Sequence, residues 1–197
     1  REMSIDRSTD EEVTYSTNII LMKKYLLESL IMNAHASNKV SFQRSVLMAN
    51  LNSLKMYTYL PEDSFAETID SVQSYYDISM RLLERENRKK LFAPSPIYTK
   101  ERDDMPTIYG IESKVTNSLV PNGCKLYGTV ENCILFKGVV IEPGAVVKNS
   151  IIMQDTIIGK NARLNCVIAD KDVLIRDGVE LSGAPSFPIT LNKGTMV

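Results

Sequence analysis

The chain has a single histidine and three cysteines, Cys124, Cys133 and Cys166, which are not spaced like zinc ligands. Zinc sites and disulfide-stabilised scaffolds use more of both residue types, so the composition argues against these two classes. No run of about 18 or more apolar residues is present, which argues against a segment that spans a bilayer. The polar, acidic first residues do not resemble a secretory signal.

Neither sign of charge is in excess, because 23 lysines and arginines nearly balance 24 aspartates and glutamates. A dedicated nucleic-acid protein or a polybasic membrane anchor would need an excess of positive charge. We therefore expect a reduced, cytoplasmic, globular protein that is a piece of a longer one.

The first part of the chain, residues 1–87, mixes helical and extended patterns. Ser41 and Ser71 are expected to cap two amphipathic helices, and residues 54–60 alternate like a strand. Two or three helices and two strands are too few to close a core, so we interpret this part as the end of a larger α/β domain. Residues 88–112 contain three prolines and no periodicity, which is typical of a linker.

The third part, residues 113–197, repeats itself. An asparagine, a small residue and two aliphatic residues recur, and a second pattern, an aliphatic residue followed by glycine or asparagine and a small residue, interleaves with them. The first pattern occupies residues 117–120, 132–135, 149–152 and 165–168. A period of about 17 residues is typical of hexapeptide repeats. The repeat predicts an all-β, left-handed parallel β-helix with about four coils over residues 115–182.

Each strand of such a coil points one aliphatic side chain inward, where it stacks on its counterpart in the next coil. We expect Leu126, Val147, Leu164 and Leu181 to form one stack, with a short insertion near residues 136–138. The recurrent asparagines predict a ladder of amide hydrogen bonds between coils. The three cysteines take positions of small residues, so we expect them to serve packing.

The repeats contain few residues that could catalyse a reaction. Many hexapeptide β-helix proteins resemble acyltransferases that use a histidine in the coils, but His35 lies outside the repeats. An acyltransferase is therefore the less favoured alternative. The acidic residues Glu101, Asp103 and Asp104 lie among basic ones, so we interpret them as a solvated charge run rather than a metal site.

Three stretches together resemble the glucose-1-phosphate adenylyltransferase (ADP-glucose pyrophosphorylase) family. They are Pro-Ile-Tyr-Thr at 96–99, Phe-Lys-Gly-Val at 136–139 followed by residues 147–153, and Ile-Ala-Asp-Lys at 168–171. The resemblance runs from about Ser16 to the end of the chain. It implies that residues 1–87 are the C-terminal portion of an α+β nucleotidyltransferase domain (GT-A-like). It also implies a role in glycogen biosynthesis, in which ATP and glucose 1-phosphate give ADP-glucose and diphosphate.

The motifs that carry catalysis in this family are missing or altered. The family's phosphate-binding glycine-rich loop and substrate lysine are absent, and its Mg²⁺-binding aspartate falls on Thr68. A neutral hydroxyl is a poor substitute for an anionic oxygen ligand. Glu67 is one residue away and would point to the other face of a strand. Two further motifs read Ser-Phe-Gln-Arg-Ser at 41–45 and Ser-Thr-Asn at 16–18.

These departures resemble the GlgD-type subunit, the non-catalytic or weakly catalytic partner within the family. The resemblance implies no catalytic, cofactor or metal residue in this chain, with Mg²⁺ and ATP used by an assembled enzyme. It implies a catalytic paralogue as partner, in a hetero-tetramer. It also matches Lys148 and Lys171 with lysines that bind a sugar-phosphate effector, although both could be solvated turn residues. A catalytic subunit seen as a fragment is the open alternative.

Overall fold

The structure, a computed structural model, describes residues 18–59, 66–94, 96–99 and 102–197. Its contacts divide the chain into two compact units, residues 1–62 and 63–197. The predicted division, with a linker at 88–112, concerns the domains of a longer protein and stays a prediction.

The described part of the first unit contains helices joined by irregular segments. Helix α1 spans Lys24–Ala36, and a π-helical turn, Phe42–Leu47, leads into a 3₁₀ turn, Met48–Asn50. Ser41 caps this region as predicted, since its hydroxyl accepts a hydrogen bond from the Arg44 amide at 3.2 Å. The strand predicted over 54–60 is wrong for residues 54–59, which are irregular. Alternation alone does not make a strand, because an extended segment needs a hydrogen-bonded neighbour. The nucleotidyltransferase assignment of this region stays a prediction.

The second unit begins with two helices, α2 (Val72–Arg81) and α3 (Arg85–Phe92). Ser71 caps α2 as predicted, and Ser74 completes a capping box with it. Arg88 in α3 donates from Nη1 to the carbonyl oxygens of Leu82 and Leu83, both at 2.6 Å. These bonds satisfy carbonyl groups of the turn that joins α2 to α3.

The rest of the second unit is a parallel β-helix of the left-handed, hexapeptide-repeat type, which confirms that part of the predicted fold class. Its described residues form fourteen short strands on three faces. Face 1 contains β1 (Ile108–Tyr109), β3 (Lys125–Leu126), β6 (Val140–Ile141), β9 (Ile157–Ile158) and β12 (Leu174–Ile175). Face 2 contains β2 (Lys114–Thr116), β4 (Thr129–Glu131), β7 (Val146–Lys148), β10 (Arg163–Asn165) and β13 (Glu180–Ser182). Face 3 contains β5 (Ile134–Leu135), β8 (Ile151–Ile152), β11 (Val167–Ala169) and β14 (Ile189–Leu191). The faces have five, five and four strands. The four coils predicted over 115–182 are present, as the register from Val115 through to Leu181 shows, and β1 and β14 extend the β-helix at its two ends.

The predicted aliphatic stack is correct in three of its four members. Val147, Leu164 and Leu181 are in register on face 2. Leu126 is wrong, because it is buried on face 1, and the residue in register with Val147 is Val130. The misplacement arose because one coil is shorter than the others.

The short coil also shows that the insertion predicted near 136–138 is wrong. The corner between β3 and β4 has only two residues, Tyr127 and Gly128, whereas the equivalent corner of the next coil has residues 142–145. A side chain on Gly128 would collide with the Ala145 carbonyl oxygen, so this tight corner requires glycine. The longest connection between successive faces lies instead at residues 183–188, between β13 and β14.

The asparagine ladder is confirmed. The amide of Asn117 donates to Asn132 at 2.7 Å, Asn132 donates to Asn149 at 3.3 Å, and Asn149 donates to Asn165 at 2.9 Å. The first three asparagines have left-handed φ values, but in the next coil Cys166, not Asn165, has the left-handed φ of 52°. The last asparagine therefore lies one position before the corner and still accepts the ladder bond.

The three cysteines are buried and free, as expected for packing residues. Burial raises the pKa of Cys133 to about 12 and also raises the pKa of Cys124. A thiol that stays protonated in an apolar core behaves as a small hydrophobic group.

Candidate functional site

The segment before α2, residues 66–70, has no regular secondary structure and holds the position that the family resemblance assigns to Mg²⁺. Thr68 is exposed there, and its neighbour Glu67 lies 2.7 Å from the guanidinium of Arg81 in α2. The carboxylate of Glu67 is thus already paired with a cation, and Thr68 supplies a neutral hydroxyl. These residues do not fit a Mg²⁺ site. Among the residues that the structure describes, no three histidine, cysteine, aspartate or glutamate side chains form a group that could hold a metal ion.

The other altered motifs lie in the first unit. Ser41 uses its hydroxyl as a helix cap, and Asn18 has a left-handed φ of 63°. Ser16 and Thr17 lie outside the described residues, as does Glu101 of the acidic run.

The two predicted effector lysines lie at different corners of the β-helix. Lys148 ends β7, where face 2 turns into face 3, and Lys171 follows β11, where face 3 turns into face 1. The ammonium of Lys148 lies 2.7 Å from the carboxylate of Glu131, which is in register one coil earlier. Both side chains are about half exposed, so solvent screens this pair. The amide of Lys171 donates to the Asp170 carboxylate at 2.7 Å, and its side chain is exposed.

Helix α2 packs on face 3, a contact that the sequence analysis missed. The Tyr76 side chain is only 4% exposed and packs with Ile151 and Ile168. Its hydroxyl donates to the Asn149 carbonyl oxygen at 2.6 Å, and burial raises its pKa. The sequence signal that could have predicted this contact is the pair of adjacent aliphatic residues in the strands of face 3. One side chain of each pair points inward, so the other needs a cover on the outside.

A cluster of ion pairs joins the segment before β1 to the β-helix. The guanidinium of Arg102 lies 2.8 Å from Asp104 and 3.2 Å from Asp155 at the corner between faces 3 and 1. Lys137 donates to the Arg102 carbonyl oxygen and lies 3.8 Å from Asp104. A shallow cavity of about 280 Å³ adjoins this cluster, lined by Arg102, Pro121, Leu135, Phe136, Lys137 and Gln154. Two cations face two carboxylates, so the cluster carries no net charge. Asp104 is thus part of an ion-paired anchor.

The described helices are all too short or too polar to cross a membrane.

Comparison with known proteins agrees with this architecture. Residues 107–185 match the family described as GlmU-like, C-terminal hexapeptide. Over 181 residues, 91% of the chain, the sequence is 42% identical to glycogen biosynthesis protein GlgD of Bacillus subtilis (strain 168), of which it covers 52%.

Enzymes of the adenylyltransferase group are more distant relatives. The chain is 30% identical to glucose-1-phosphate adenylyltransferase of Bacillus cereus (strain ATCC 10987 / NRS 248) over 83% of its own length and 43% of that enzyme. It is 26% identical to glucose-1-phosphate adenylyltransferase of Acetivibrio thermocellus over 88% of its length and 40% of that enzyme. The chain spans about half the length, or less, of these curated relatives. These matches confirm the resemblance: the chain is similar to the C-terminal portion of glycogen biosynthesis protein GlgD and, at lower identity, to glucose-1-phosphate adenylyltransferases.

Proposed function

We propose that this chain belongs to a regulatory or weakly catalytic subunit of glucose-1-phosphate adenylyltransferase in glycogen biosynthesis. The main support for the proposal is that no free carboxylate is found at Thr68 or Glu67, where the family resemblance expects a Mg²⁺ ligand. Thr68 offers a hydroxyl, and the carboxylate of Glu67 is paired with Arg81 at 2.7 Å. A subunit without this ligand loses electrostatic stabilisation of the transferring phosphoryl group, and each 1.4 kcal/mol of lost stabilisation is about tenfold in rate.

The proposal includes a partner that supplies the chemistry. A catalytic paralogue, assembled with this subunit in a hetero-tetramer, would bind Mg²⁺ and ATP. Support comes from apolar side chains that are more than half exposed in and near the predicted linker, namely Phe92, Ile97, Tyr98 and Tyr109. Exposed aromatic and aliphatic side chains are typical of protein contact surfaces.

Lys148 and Lys171 are proposed to bind the sugar-phosphate effector of the assembled enzyme. Both lie at coil corners and are accessible to solvent, where an ammonium can reach a phosphate. Because they are at different corners, each would contact a different part of the effector or a different effector molecule. Lys148 would exchange its bond to Glu131 for the bond to the phosphate.

The decisive experiment measures ADP-glucose formation by the full-length protein alone, by the catalytic paralogue alone, and by the two mixed. We expect negligible turnover for the full-length protein alone. In the mixture, we expect kcat or effector sensitivity to differ from the paralogue at the same concentration. Turnover on the order of 1–10³ s⁻¹ by the protein alone would contradict the regulatory role. It would support the alternative, a catalytic subunit of which this chain is a fragment.

A further inference from the structure

The corner of the β-helix just before β3 contains the dipeptide Asn122-Gly123, the only asparagine-glycine pair in the sequence. Asn122 is exposed, and its side-chain amide has no hydrogen bond to any residue that the structure describes. The corners in register with it in the next three coils have Lys137, Gln154 and Lys171 at this position. The first of these corners therefore differs from the others in the chemistry of its side chain.

The fold requires glycine at position 123 for two reasons. Its φ of +87° lies in the left-handed region, which is unfavourable for a residue with a side chain. A Cβ atom at this position would also lie 3.0 Å from the Cβ atom of Asp104. Because Gly123 has no Cβ, its backbone nitrogen is not shielded by a side chain of its own.

An asparagine followed by glycine can lose ammonia in an intramolecular reaction. The backbone nitrogen of Gly123, after losing its proton to solvent, attacks Cγ of Asn122 and closes a succinimide ring. The bond between Cγ and Nδ2 breaks, and Nδ2 takes up a proton from solvent and leaves as ammonia. Water then opens the ring at one of its two carbonyl groups, which gives aspartate or isoaspartate. No oxidation or reduction occurs, and water is the only co-reactant.

One hydrogen bond restrains this reaction in the folded chain. The Gly123 amide donates to the Met105 carbonyl oxygen at 2.7 Å, and a nitrogen held in this bond does not readily lose its proton. Met105 lies in the segment before β1, which is anchored by Arg102 through ion pairs with Asp104 at 2.8 Å and with Asp155 at 3.2 Å. The Gly123 nitrogen therefore becomes reactive only while this segment is locally open.

We propose that Asn122 is a site of spontaneous deamidation whose rate is set by the opening of residues 102–107. The reaction turns a neutral side chain into a carboxylate, one residue from the place where Asp104 lies against Gly123. The ion-paired cluster of Arg102 has no net charge before the reaction, because two cations face two carboxylates. The added negative charge repels Asp104 and increases the fraction of time that the segment is open.

Peptide mapping by mass spectrometry follows the reaction while the folded 197-residue chain is incubated in mildly alkaline buffer. Trypsin releases residues 115–125 as one peptide, which also contains Asn117, an exposed asparagine that precedes Ser118. Asn117 is the internal control, because the side chain of Ser118 hinders attack by its backbone nitrogen. We expect deamidation to be several-fold faster at Asn122 than at Asn117, and faster still in urea, where the Met105 bond is absent.

Three variants test the part played by the anchor. Arg102→Ala removes both ion pairs of the anchor and should increase deamidation at Asn122 several-fold. Arg163→Ala removes an exposed arginine that is paired with Glu180 on face 2, and it should leave the rate unchanged. Asn122→Gln should abolish the reaction at this position, because glutamine closes its larger ring much more slowly. Circular dichroism establishes that the variants are folded.

Hydrogen exchange of the Gly123 amide measures the opening directly. Arg102→Ala should raise the exchange rate by the same factor as the deamidation rate, since both reactions need the same opening. Asn122→Asp reproduces the charge of the product and should also raise the exchange rate of this amide. Asn161→Asp places the same charge at an exposed corner between faces 1 and 2 and should leave it unchanged.

Four results would overturn the proposal. Asn122 could deamidate no faster than Asn117 in the folded chain, or the two arginine variants could react at equal rates. Deamidation could increase in Arg102→Ala without faster exchange of the Gly123 amide, or Asn122→Asp could exchange this amide no faster than Asn161→Asp does. None of these readouts uses ADP-glucose formation, so they fail or succeed separately from the proposed function.

Discussion

Tyr76 donates its phenolic hydrogen to the carbonyl oxygen of Asn149 across 2.6 Å, and Asn149 is also a member of the ladder that joins the coils. One residue thus links α2 to the corner of the β-helix. Gln73, one turn earlier, donates to the Pro185 carbonyl oxygen at 2.8 Å. Two side-chain hydrogen bonds, from Tyr76 and from Gln73, thus hold α2 on the β-helix in addition to its apolar contact with face 3.

The Tyr76 bond predicts a measurable contribution to stability. Tyr76→Phe keeps the ring and leaves the Asn149 carbonyl without its partner, which should cost about 1–2 kcal/mol of unfolding free energy. Tyr76→Ala also removes the buried ring and should cost about 3–5 kcal/mol. Urea unfolding of the chain measures both. Tyr98→Phe is the control, because Tyr98 is 92% exposed and its hydroxyl should contribute nothing. Equal effects at the two tyrosines would contradict the prediction.

The alternation of inward and outward side chains predicts opposite outcomes for two neighbours in β7. Val147→Asp buries an unpaired charge in the core and should unfold the β-helix, at a cost of several kcal/mol. Val146→Asp places the same charge outside and should leave the fold intact. Far-ultraviolet circular dichroism and thermal unfolding compare them. A folded Val147→Asp variant would show that the core is not the one described.

The ion pair between Glu131 and Lys148 predicts how effector sensitivity responds to substitution. Lys148→Ala and Lys171→Ala should each raise the sugar-phosphate concentration for half-maximal activation several-fold. Glu131→Gln frees the Lys148 ammonium and should lower it. Activation assays on the assembled enzyme make the measurement, with Lys160→Ala, an exposed lysine between faces 1 and 2, as control. Unchanged activation in all variants would exclude these lysines as the effector site.

The buried Cys133 thiol predicts a stability loss at high pH. Its pKa is raised from 9.0 to about 12 by burial, so the native state holds the proton more tightly than the unfolded state. The resulting stabilisation is complete below about pH 9 and is lost as the pH rises toward about 12. Urea midpoints recorded across that range should fall for the wild type. They should fall less for Cys133→Ala, which has no thiol to ionise, and parallel curves for the two proteins would contradict the prediction.

The β-helix was predictable because its information is local and repeated. One inward aliphatic residue in each short strand and an asparagine at one corner recur every 15 to 17 residues, and each recurrence adds independent support. The capping serines, Ser41 and Ser71, were found for the same reason, since a hydroxyl that bonds an amide three residues ahead is a short-range signal. The strand expected at 54–60 failed because a strand depends on a neighbour that the segment itself does not specify.

The sequence by itself determined the repeat, the family and the absence of an aspartate at position 68, because residue identity and spacing are sufficient for each. Tertiary structure decided the rest. Only the register between coils placed Leu126 on face 1, since the corner at Tyr127 and Gly128 is two residues shorter than the next one. Only this register also paired Asn165 with Lys148, so the left-handed corner of that coil falls on Cys166. Likewise, only packing showed that α2 covers face 3, whereas Ile157 on face 1 is 41% exposed. An outward isoleucine has the same sequence signature in both cases, and what covers it depends on residues far away in the chain.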